Sequence, residues 1–82
     1  MIRIEKNKVI KMTELKRGVN AILYNCAPLA SESLKTTEWL EVVDLNNKNR
    51  KWVFDNKNYG QHYDPKLIAA LNQFDKVEGG QC

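Results

Sequence analysis

Over its first 54 residues this chain alternates apolar and polar side chains in short runs, and only after Asp64 and Pro65 does the apolar spacing lengthen to that of a helix. A period of two specifies strands with two distinct faces, whereas a period near 3.6 specifies a single helical stripe. The order points to an α+β domain, a mostly antiparallel sheet of about five strands with one C-terminal α-helix, and an SH3-like or otherwise half-open barrel satisfies it. The expected extent is one domain over residues 1–78, with 79–82 as a flexible tail.

The strands can be placed from local chemistry. "IRIEK" and "KVIKM" are alternating runs joined at "NK", the pattern of an edge hairpin. In "TELKRG", Thr13 reads as a helix N-cap and Gly18 as a stop, giving one helical turn before the buried strand "VNAILYNCA". Pro28 ends that strand because it lacks the N–H a ladder requires, and the polar residues 28–37 read as a loop.

The stretch "EWLEVVDLNNKNRKWVFDN" carries both tryptophans and reads as a second hairpin. With "NNKN" as its connection, Leu45 faces Arg50, Asp44 faces Lys51, Val43 faces Trp52, Val42 faces Val53 and Glu41 faces Phe54. This register pairs opposite charges and sets a β-branched residue against an aromatic, contacts worth roughly 0.2–1 kcal/mol each. It places Trp39, Val43, Leu45, Trp52 and Phe54 on one face, expected to be the core. Leu40, Val42 and Val53 fall on the other, expected to receive the helix. Asp64 then caps that helix, Pro65 fills its first position, and Leu67, Ile68, Leu71 and Phe74 form its apolar stripe.

A chain of 82 residues buries about 60–65% of its unfolded surface, so the core must be used economically. With 43% hydrophobic and 28% charged residues, it lies well away from the composition of disordered chains. No window approaches the roughly 18 apolar residues of a membrane span, and "MIRIEKNKVIKM" interleaves charge where a secretory signal would run unbroken. A cytoplasmic protein without a membrane partner is the expectation. Cys26 reads as a buried structural thiol and Cys82 as a tail thiol, since neither has metal-ligand or disulfide-scaffold spacing.

Enzyme chemistry needs convergent groups, and few are present. His62 stands beside Asp64 as a base with an orienting carboxylate could, but Asp64 is accounted for as a cap. No nucleophile, phosphate-loop or metal motif occurs, so no catalytic residue, metal site or cofactor is assigned. The net charge of +3 is unevenly spread: residues 1–20 hold six basic and two acidic side chains, residues 31–45 one and four, and residues 46–57 four and one.

Two binding readings follow. In the first, a dipolar surface with exposed tyrosines takes a protein partner, through Tyr59, His62 and Tyr63 with Arg50 and Lys51. The chain would then regulate or inhibit that partner, in the manner of a phage or mobile-element accessory protein. In the second, Lys48, Arg50, Lys51 and Lys57 around Trp52 and Phe54 clamp nucleic-acid phosphates, with Arg3, Lys6, Lys8 and Lys11 on the first hairpin as further basic residues.

Overall fold

A computed structural model describes residues 1–29, 38–47 and 50–80. It shows the strands β1 (Ile2–Glu5), β2 (Lys8–Arg17), β3 (Ala21–Pro28), β4 (Trp39–Asp44) and β5 (Lys51–Phe54), then the one-turn helix α1 (Asn56–Tyr59) and the long helix α2 (Tyr63–Glu78). The strands form one antiparallel sheet in sequential order, which does not close into a barrel.

Local chemistry accounts for most boundaries. Lys6 and Asn7 both have positive φ, 48° and 67°, as the tight primed turns of two-residue hairpins require. The segment expected to make a helical turn at Thr13 is instead the second half of β2. Thr13 pairs with Asn25 and Glu14 with Tyr24, and a bulge at Leu15 shifts the register before Lys16 pairs with Leu23. One helical turn here would leave most of its backbone groups without partners, whereas the ladder with β3 satisfies them.

The β4–β5 register differs from the expected one by a single residue. Leu40 pairs with Phe54, Glu41 with Val53, Val42 with Trp52 and Val43 with Lys51. The connection is longer than "NNKN" because Asp44 organises it: its carbonyl accepts from the Asn47 N–H at 3.2 Å and its carboxylate from the Asn46 N–H at 2.9 Å. Leu45 turns away and donates its N–H to the Asn20 carbonyl at 2.9 Å. Because side chains alternate, one step of register exchanges the faces of β5 relative to β4. Trp39 and Trp52 therefore lie on opposite faces, and the face expected to hold both is not a single core.

Two apolar clusters result. Ala21, Leu23, Leu40, Val42 and Phe54 face α2 and meet Ala70, Phe74 and Val77, with Trp52, Tyr63 and Leu67 at the margin. On the opposite face Ile10, Met12 and Cys26 pack with Tyr24 and Trp39. Each large side chain so buried contributes roughly 1.5–3 kcal/mol.

The buried stripe of α2 is Lys66, Ala70, Phe74 and Val77, not one centred on Ile68, which is 61% exposed. The helix begins at Tyr63 after His62, which makes no side-chain capping bond, so Asp64 is a first-turn acid rather than the cap. α1 has a side-chain cap, Asp55, which accepts from the Asn58 N–H. Lys66 is fully buried, its ammonium donating to the Glu38 carbonyl at 2.8 Å and to the Asn56 side-chain oxygen, so it ties α2 to β4 and α1.

The far end of α2 is held by Glu78. Its carboxylate accepts from the backbone N–H groups of Val19, Asn20 and Ala21 at 2.8, 3.0 and 3.1 Å. These bonds hold it below the usual carboxylate range. Gly18 permits this approach, since a Cβ there would stand 2.1 Å from a Glu78 oxygen. The helix stops at Gly79 and Gly80, the latter with φ +73°, its N–H donating to the Val77 carbonyl.

Candidate functional site

The helix lies over β3, β4 and β5, leaving the same face of β1 and the start of β2 uncovered. Ile2 pairs with Lys11 and Ile4 with Val9, so these four side chains share that face. Ile2 is 53% and Ile4 72% exposed, and Val9 is exposed beside them. An open groove of about 550 Å³, lined by Asn7, Lys8, Val9, Pro28 and Leu29, adjoins the row. Lys6 and Lys8 stand exposed at its turn end.

The opposite face of β1 is occupied. Arg3 reaches across two strands to Glu41 on β4, with Nη1 and Nη2 donating to its carboxylate oxygens at 2.8 and 2.7 Å. In a flat sheet those strands would lie about 14 Å apart, at roughly 4.8 Å per step, so a pair this close requires the sheet to roll. Lys51 on β5 lies 3.6 Å from both Glu5 and Glu41 and draws the two edges of the sheet together. Trp39 Nε1 completes the carboxylate's partners at 2.8 Å.

Burial alone would raise the Glu41 pKa, but the hydrogen bonds from Arg3 and Trp39 outweigh it and hold the carboxyl at about 2. The same burial, with the Glu41 charge adding to it, pushes the Cys26 thiol up to about 12 and leaves it no thiolate character near neutral pH. Arg3 Nε lies 2.9 Å from a Glu5 oxygen as an ion pair, but the angle does not make a hydrogen bond and the atom is buried.

The sequence-derived contact residues do not gather in one place. Arg50, just before β5, and Lys51, its first residue, point to opposite faces: Arg50 lies 4.7 Å above the Trp52 ring, and Lys51 joins the carboxylates on the other side. A guanidinium on the indole face competes there with any stacking base. Tyr63 is half-buried, its hydroxyl donating to the Asn25 side-chain oxygen at 3.2 Å, and burial followed by the Glu38 charge raises its pKa. Tyr59 and His62 flank the α1–α2 turn with their surfaces open, Tyr59 resting against Phe54 at a ring separation of 5.6 Å. Lys57 is exposed on α1, and Lys48 lies outside the described residues.

Other basic side chains are also engaged within the chain. Arg17 pairs with Glu14 at 2.7 Å, and Lys16 lies over the Phe74 ring at 4.8 Å with Asp75 at 3.9 Å. Among the described residues no three metal-ligating side chains cluster, and no helix is long and apolar enough to cross a membrane.

Sequence reasoning missed the uncovered row because it treated the first hairpin only as a fold element and a source of lysines. One signal was available: the alternation in "IRIE" and "KVIK" sets Ile2, Ile4 and Val9 on one face, and the sequence offers a single long helix to cover the whole sheet. No family model, curated protein or solved structure matches this chain.

Proposed function

We propose that this protein acts without catalysis, by binding a protein partner that it regulates or inhibits, and that the first hairpin is the principal contact. The supporting observation is the row of Ile2, Ile4 and Val9, open on the half of the sheet that α2 leaves bare and bordered by lysines. Isolated exposed aliphatics need no explanation, but a row on an edge hairpin, rimmed by polar residues, has the anatomy of a contact surface. Tyr59 and His62 form a second open patch and remain candidates for the same role.

The nucleic-acid reading has the local basic excess in its favour. Against it stands the engagement of Arg3, Lys51, Arg17 and Lys16 with this chain's own carboxylates. A phosphate contact by any of these would have to displace an internal partner first.

The test compares wild type with Ile4→Lys, a substitution at a surface position that should leave the melting temperature unchanged. The expected result is loss of a specific protein captured from the native host's lysate, together with no oligonucleotide binding at roughly 50 mM salt. Capture unaffected by Ile4→Lys would overturn the assignment of the hairpin. Oligonucleotide binding that collapses between roughly 50 and 200 mM salt would establish the alternative.

A further inference from the structure

We infer that β1 takes up an extended, acidic and apolar segment of a partner protein as an added strand. The inference rests on the reading of the first hairpin as a protein-binding surface and specifies how that surface works. The Met12 N–H donates to the Met1 carbonyl at 2.7 Å and the Met1 terminal ammonium donates to the Met12 carbonyl at 3.0 Å, so these two residues form a hydrogen-bonded pair. In an antiparallel ladder such pairs alternate with non-bonded ones, so Arg3 and Glu5 also bond inward to β2. The N–H and carbonyl groups of Ile2 and Ile4 consequently point out from the sheet's edge. Among the described residues β1 is paired as a strand with β2 alone.

Edge strands are ordinarily protected by outward charge. Here the two charged side chains of β1 are turned to the other face and consumed in holding the roll of the sheet, Arg3 by Glu41 and Glu5 by Lys51. What remains at the edge is a backbone unpaired among the described residues, with Ile2 and Ile4 beside it. This is the arrangement in which main-chain bonds supply affinity and alternate side chains supply specificity.

Charge selects the occupant. Lys11 shares the face of the apolar row, and Lys6 and Lys8 stand exposed at its turn end. A second copy of this chain would bring the same lysines against them, whereas a segment alternating apolar residues with Asp or Glu meets both the isoleucines and the lysines.

The experiment selects a displayed library of random peptides, each about twelve residues and so long enough to run past β1 at about 3.3 Å per residue, on the immobilised full chain. Enriched peptides should alternate apolar and acidic residues, protect the Ile2 and Ile4 amide protons from exchange on binding, and lose at least about tenfold in affinity with Ile4→Glu, which removes the apolar contact and repels the acidic side chains. Peptides that depend on Ile4 but leave both amides unprotected would overturn strand addition while sparing the protein-binding reading. Enriched peptides indifferent to Ile4→Glu would overturn both. Absence of acidic enrichment, or a concentration-dependent dimer that protects the same amides, would overturn the stated occupant.

Discussion

Arg3 and Glu41 join the first strand to the fourth through two parallel hydrogen bonds, and Glu41 is only 1% exposed. A buried carboxylate left without its cation costs about 3–5 kcal/mol, whereas replacing both members by neutral groups is close to neutral. Arg3→Met should therefore lower the urea midpoint sharply. Arg3→Met with Glu41→Gln, which keeps an acceptor for Trp39, should recover much of the loss. A double variant no more stable than the single one would show that the pair is not what holds the roll.

The same carboxylate should dominate the acid limb of stability. Its folded pKa of about 2 lies below the ordinary value of 4.5, so its contribution is fully present above about pH 4.5 and is lost as pH falls toward 2. A shift of that size corresponds to about 3 kcal/mol at most. Urea unfolding of wild type and Glu41→Gln across that range should give curves that converge as pH falls, and parallel curves would refute the assignment.

Glu78 and Gly18 should behave as one unit, because the Cβ of Gly18→Ala enters the space of the Glu78 carboxylate. Each of Gly18→Ala and Glu78→Gln should lower the melting temperature, and the double variant should fall little below the worse single one. Additive losses would mean that the β2–β3 turn and the helix end are independent.

The five strands and the long helix are legible in the sequence because alternation and helical spacing are local, and the Asp64–Pro65 start lies within the first turn of α2. What escaped it depended on one residue of register and on side-chain direction. A connection in which Asp44 binds the turn backbone looks, in one dimension, like a shorter loop one step further on, and that step moved Trp52 from beside Trp39 to the opposite face. Lys66 is absent from the expected apolar stripe because its charge hides its four-carbon stem, and Ile68 belongs to it because it fits the same stripe rotated. The candidate surface escaped for a related reason, since exposure of Ile2 and Ile4 depends on where α2 ends and not on their own neighbours.

Cys26 should be chemically silent in the native chain. Burial among Ile10 and Met12, reinforced by the Glu41 charge, pushes its thiol to about 12. With Cys82 replaced by Ser so that a single thiol is read, a disulfide reagent near pH 8 should react only after urea is added. Rapid native reaction would require that this face open far more readily than its packing implies.

Lys66 makes the last prediction, because it is a buried cation whose two hydrogen-bond acceptors are neutral oxygens of Glu38 and Asn56. Lys66→Met keeps a stem of similar length within the core but removes the donor both oxygens use, a loss of about 1–3 kcal/mol. Since Asn56 opens α1, the short helix should loosen with it, and the nuclear Overhauser contacts between the Tyr59 and Phe54 rings should weaken. If stability falls while those ring contacts persist at full strength, Lys66 anchors only β4, and the tie to α1 is incidental. If neither changes, the apolar stem alone accounts for the burial of this lysine.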